Sequence, residues 1–252
     1  MITRDITKQN LDAIYAETFN FEKFKAVDPC GLVYELLSHT DDQLDIELGA
    51  LFVAMITWGN RKAIRKAARY MLEEEMQWHP GRFVLSGAFE DSYTNAKNGC
   101  VYRTLNRDKF KEVCRNLKDA LNTIGEKPTL EKYLQGKTCV ECLDLLCQLL
   151  APAKLGIVGK SACKRMCMYM RWMTRQTSPD LGIWKERSQS DLFAVMDVHV
   201  CDLTSSILKN KNASWKSCCE LTEIFKKWDK VDPLKYDIAL MTLSDRIDSS
   251  EL

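Results

Sequence analysis

The sequence has almost no net charge, few histidines and no long apolar run, and each shortage removes a class of function. Lys and Arg total 36 against 35 Asp and Glu, a formal charge of +1. A protein that coats DNA through bulk charge is excluded, because such binding scales with the number of phosphates neutralised; a single local basic face is not. Three scattered histidines do not make a hydrolase metal site, and there is neither a Walker motif nor a dinucleotide glycine fingerprint. The longest apolar stretch, Leu48 to Trp58, is too short to span a membrane, so no membrane partner is expected. Alternating apolar and polar runs, internal repeats and long linkers are also lacking. With 46% hydrophobic and 28% charged residues, disorder, collagen and low complexity are excluded.

What is present is a chain of 252 residues, enough for one large domain or two small ones that bury a core without disulfide or metal. Eleven cysteines are an odd number, and most sit in apolar runs such as Cys139-Val140-Glu141-Cys142-Leu143. The polar start Met1-Ile2-Thr3-Arg4-Asp5 does not resemble an export signal. The expectation is a reducing cytoplasm, with the thiols packed as small hydrophobes. Cys139-x-x-Cys142 is a lone pair without a second pair or nearby histidines, so no metal and no cofactor are expected.

The apolar periodicity is helical nearly throughout, which predicts an all-α protein. Ile6, Leu11, Ile14, Tyr15 and Phe19 mark a first helix. Pro29 suits the first turn of a second, to about Leu37. Leu44 to Thr57 is strongly apolar, with Asp41, Asp42, Asp45 and Glu47 at its positive end. Asn60 caps a helix from Arg61 to about Trp78, which His79-Pro80-Gly81 stops. Residues 86 to 106, with Gly87, Asn95, Asn98 and Gly99, read as loop. Asp108 to Ile124 is amphipathic. Pro128-Thr129 opens a short helix and Thr138 caps another, with Val140, Leu143, Leu146 and Leu149 as its apolar residues and Pro152 as its end. Residues 160 to 175 read as helix and 176 to 190 as loop. Asp197 caps a helix through Leu208, and helices at about 214 to 228 and 233 to 243 close the chain.

The segment from Lys160 to Arg175 has five basic residues and no acid. At about 100° per residue from Lys164, Lys160 falls at about −40°, Arg171 at about −20° and Arg175 at about +20°. Four cations then share one face, and Met166, Met170 and Met173 form a stripe elsewhere on a largely buried helix. Like charges four apart repel, so the stripe costs stability unless something anionic lies opposite, a phosphate backbone or a set of carboxylates; the plain alternative is a solvated face at the domain edge. A lysine crowded by cations and apolar groups also loses its proton more readily, and a neutral amine forms Schiff bases. Before this helix, Gly156-Ile157-Val158-Gly159 is a tight turn whose backbone N–H groups could face a phosphate. After it, Val195-Met196-Asp197-Val198-His199-Val200 places one acid among apolar residues. Asp197 suits a helix N-cap, and a capped carboxylate can also support a nucleophile.

A glycine turn, a lysine-bearing helix, a loop and then an apolar-Asp-x-His-Val segment resemble the helix-hairpin-helix DNA glycosylase superfamily. Lys164-Arg165-Met166-Cys167-Met168-Tyr169-Met170-Arg171-Trp172-Met173 is similar to the lysine helix of its archaeal 8-oxoguanine glycosylase branch, and the 33-residue step from Lys164 to Asp197 fits that branch. A related uncharacterised bacterial family is similar at Asp45-x-Glu47, Trp58-Gly59-Asn60-Arg61, Lys164-Arg165, Arg171-Trp172-Met173 and Asp232-Pro233-x-x-Tyr236-Asp237. The resemblance covers roughly residues 40 to 242 and is sharp only at the lysine helix and the Asp197 segment. The Gly156 to Gly159 turn has one residue more between its glycines than the family pattern, and Lys164 lies five residues after Gly159 where that pattern has its lysine two after, which leaves Lys160 as a rival nucleophile. The apolar register after Lys164 favours Lys164. The iron–sulfur cysteine run of the endonuclease III branch is absent.

The resemblance implies a two-lobed all-α fold with an interlobe cleft, one lobe from 42 to 175 and the other from 1 to 41 plus 176 to 252. It implies a monomeric base-excision enzyme acting on damaged double-stranded DNA, a glycosylase with AP lyase activity, with 8-oxoguanine the expected lesion. Lys164 would attack C1′ and hold the sugar as a Schiff base, and Asp197 would support it. Trp172 and Asp237 would line the base pocket. Asn60, Arg61, Gly156, Gly159, Lys160, Arg171 and Arg175 would contact DNA. The alternative is a non-catalytic helical module that binds nucleic acid or protein through the basic stripe 160 to 175.

Overall fold

The computed structural model describes residues 5–17, 20–94 and 99–250; Phe19, Asn95 and Asn98 lie outside them. The class is all-α. The chain divides into two compact units, Phe21–Leu155 and Met1–Asn20 with Gly156–Leu252.

The Phe21–Leu155 unit contains α2 (Phe21–Val27), α3 (Cys30–Leu36), α4 (Gln43–Met55), α5 (Arg61–Tyr70), α6 (Pro80–Ser86), a hairpin of β1 (Cys100–Tyr102) and β2 (Leu105–Asn106), α7 (Arg107–Asn122), α8 (Leu130–Tyr133) and α9 (Cys139–Leu149). Its centre is α4. Every residue from Leu44 to Met55 is buried, as expected of a helix apolar all round, and each large side chain there is worth roughly 1.5–3 kcal/mol of burial. Its two acids are buried because they serve other helices. Glu47 accepts from the backbone N–H of Leu130 at 2.5 Å and of Glu131 at 3.2 Å, at the start of α8. Asp45 accepts from the N–H of Gly81 at 2.7 Å, near the start of α6. The acids expected to answer the dipole of α4 therefore answer other helix ends as well, where unpaired N–H groups attract anions.

Three elements differ from the sequence expectation. His79-Pro80-Gly81 ends one helix but also begins α6, with Pro80 in the first turn, where its missing N–H costs nothing. The helix from Arg61 widens into a π turn at Met71–Glu75. The expected loop 86–106 holds the antiparallel hairpin, with Cys100 opposite Asn106 and Tyr102 opposite Leu105. Five strand residues are too few to show a period of two.

The other unit contains α1 (Lys8–Ala16), α10 (Lys164–Thr174), α11 (Val198–Leu203), α12 (Trp215–Trp228) and α13 (Lys235–Ser250). α1 packs on α13. The expected boundaries at 42 and 175 thus fall elsewhere. The lysine helix groups with the C-terminal residues rather than with the middle of the chain, because Arg171 and the C-cap residue Arg175 bond to carboxylates that follow it. Among the described residues no helix is long and apolar enough to cross a membrane.

Candidate active site

α10 starts at Lys164, four residues later than expected. Gly156 and Gly159 both have positive φ, +116° and +86°, and Cys163 is in the left-handed region at φ 48°. The turn is held by the Ser161 hydroxyl, which accepts from the Ile157 N–H at 2.9 Å. A Cβ on Gly156 would lie 2.1 Å from that hydroxyl oxygen, so glycine is required there for space as well as for φ. Lys160 stands in the turn, exposed, and is not on the face of α10; its expected place in the stripe is corrected. The Trp215 N–H donates to the Lys160 carbonyl at 3.4 Å, and Ser161 pairs with Ser214, which ties the turn to the start of α12.

Lys164 Nζ lies 2.5 Å from Asp197 Oδ2. The two side chains are 38% and 23% exposed, so the pair is reachable from solvent. Asp197 caps α11, accepting from the Val200 N–H at 2.8 Å through its other oxygen. Burial alone would raise its carboxyl, but the charge and hydrogen bond of Lys164, the Val200 N–H and the nearby His199 hold it below the usual carboxylate range. The carboxylate is thus kept ionised beside the amine. Among the described residues no carboxylate pairs with Lys160.

The remaining cations of the stripe face inward. Arg171 is buried, with Nε 3.1 Å from Asp180 Oδ1 and Nη1 3.6 Å from Asp237 Oδ2. Arg175 is fully buried. It holds Asp232 through Nε and Nη2, both at 2.9 Å, Asp180 at 3.1 Å, and the Tyr15 hydroxyl at 2.7 Å. Of the two anions that the repelling stripe demanded, the carboxylates are present. The expectation that Arg171 and Arg175 contact DNA is therefore corrected, and so is the crowding of Lys164 by uncompensated cations. Asp180 went unrecognised in the sequence; the signal was the repulsion itself, which called for acids close by.

Trp172 is 1% exposed within the core and Asp237 is bonded to Arg171 and to the Val195 N–H. Both side chains, expected to line a base pocket, are buried. Asn60 acts as the cap of α5, accepting from the Ala63 N–H at 3.1 Å. Arg61 is exposed beside it. Both belong to the other compact unit. Gly156 and Gly159 form the turn that leads to Lys164.

No curated protein and no solved structure is significantly similar to the chain. Residues 28–245 match the family described as Protein of unknown function (DUF2400), a span that includes α10, Lys164 and Asp197, and the chain belongs to that family.

Proposed function

We propose that the protein is a DNA glycosylase with AP lyase activity that acts on an oxidised purine, 8-oxoguanine first among them, in double-stranded DNA. The finer fold, a two-lobed helix-hairpin-helix glycosylase-like arrangement, is part of the same proposal; the glycine turn leading into a lysine helix supports it. The observation that carries the reading is the solvent-reachable Lys164–Asp197 pair, 2.5 Å apart. A pair that served stability alone would contribute little at this exposure.

In this reading the flipped-out nucleotide presents C1′ to the Lys164 amine once that amine has passed its proton to bulk water, which its exposure allows. The amine forms the C–N bond while the C1′–base bond breaks and the base leaves with the electron pair. Asp197, held ionised, offsets the positive charge that builds on the sugar. The sugar ring opens to a Schiff base on Lys164, loss of a C2′ proton then expels the 3′ phosphate, and water releases the sugar. Extruding the base costs a few kcal/mol of stacking. A binding-only module based on the stripe has less support, since Arg171 and Arg175 are buried.

Borohydride reduction in the presence of duplexes that each carry one lesion tests the proposal. A covalent adduct is expected with wild type and with Lys160→Gln, and none with Lys164→Gln. Asp197→Asn is expected to slow trapping by about 10²-fold or more. Absence of an adduct across the lesion panel, or an adduct that survives Lys164→Gln, sinks the assignment.

A further inference from the structure

A second group of residues, in the Phe21–Leu155 unit, is unused by this chemistry. The Arg103 guanidinium lies over the Trp58 ring at 4.0 Å from its centroid. The Tyr102 hydroxyl donates to the Trp58 carbonyl at 2.8 Å and its ring meets the indole edge-on. Gly59 makes the stack possible: its φ is +99°, and a Cβ there would lie 2.2 Å from an Arg103 nitrogen. Arg103 is nonetheless exposed and Trp58 half-buried. The tip of the hairpin is therefore locked onto the turn before α5 and presents a flat cation to solvent.

α5 itself, Arg61–Tyr70, has five cations and no acid. Two of them are committed to the fold. Arg65 donates to the carbonyls of Lys25 and Asp28, and Arg69 pairs with Glu35. Lys62 and Lys66, four residues apart, are exposed, and no carboxylate pairs with either among the described residues. A planar guanidinium–indole stack on the turn that leads into a helix with two unneutralised lysines supplies what a nucleic-acid strand needs: cations for the phosphates and a flat face for a base.

We propose that this corner, formed by Trp58, Arg103, Lys62 and Lys66, is a docking surface for a single DNA strand. An unpaired base would stack on the outer face of Arg103, and the two lysines would meet backbone phosphates. The proposal takes DNA as the polymer from the glycosylase reading, but the surface chemistry stands on the charge and geometry above.

Fluorescence anisotropy of the full chain with a labelled single-stranded oligodeoxynucleotide is the test. Arg103→Ala and Arg103→Lys are both expected to weaken binding about tenfold, because the lysine keeps the charge but not the plane. Lys62→Ala with Lys66→Ala is expected to lower the slope of log affinity against log salt by about 1.4. Neither lysine supports the core, so that variant folds. Wild-type affinity in Arg103→Lys together with an unchanged salt slope in the double variant overturns the proposal, as does a wild-type protein that binds no single strand. The two readings fail separately. Trapping through Lys164 with unchanged binding in these variants removes the surface alone, and surface-dependent binding without any trapping removes the glycosylase alone.

Discussion

Asp237 carries an oxygen, Oδ1, that has no hydrogen-bond partner although it is buried. Burial pushes its carboxyl up to about 6, and Asp180 adds to the rise; Arg171 and the Val195 N–H oppose it. A carboxyl whose folded value lies above its unfolded value of 3.8 takes up a proton on folding between those two pH values. Stability from this group therefore grows as pH falls from about 6 towards 4, and is lost as pH rises through that window. Asp197 and Asp229, both lowered, act oppositely at more acid pH, where the folded state loses their contribution. Asp237→Asn should flatten the dependence between about pH 4 and 6, read as the difference in denaturation midpoint between variant and wild type across that range. A difference that does not vary with pH would show that Asp237 does not titrate there. At this scale the sequence was informative about Lys164 and Asp197, since the pair's residue types and spacing were visible. It did not show that Trp172 and Asp237 are buried, because a side chain's direction depends on partners far along the chain.

At the scale of elements, α10 shows how a helix can look like a binding face and be a core strut. Arg171 and Arg175 share one side, as the spacing predicts, but their partners are Asp180 in a loop, Asp232 just before α13 and Asp237 in its first turn. No local periodicity reports a partner 57 residues away. Removing one member of a buried ion network leaves the others uncompensated. Arg175→Met is expected to cost about 3–5 kcal/mol, measured by urea unfolding, and Asp232→Leu added to it should recover part of that loss. If Arg175→Met were neutral, the network would not be holding α10 in place. Helices with a clear cap were legible: Asn60, Thr138 and Asp197 all cap where expected. The hairpin and α6 were not, the first for its brevity and the second because proline was read as an end rather than a beginning.

Across the whole molecule, the class was legible from periodicity while the division into units was not. Composition does not change at residues 20 or 155, where the compact units part; what separates them is which distant segments pack together. α1 belongs with α13, and its Tyr15 reaches Arg175 and its Asp12 reaches Lys235 and Tyr236. A chain that begins at Phe21 should therefore lose amide protection in α10 and α13 in hydrogen exchange, while α4 keeps its own. Unchanged protection in α13 would mean that α1 is dispensable to its unit.

The free thiols have a practical consequence. Nine of the eleven cysteines are buried, Cys219 is half-buried, and Cys100 is exposed on β1. Burial pushes the Cys219 thiol up to about 11, which leaves it little of the reactive thiolate at neutral pH. A maleimide dye added to the native chain will therefore settle first on Cys100, three residues from Arg103. The molecule carries its own attachment point for a reporter at the hairpin, and arrival of a DNA strand there can be followed as a change in the dye's emission without altering a single residue.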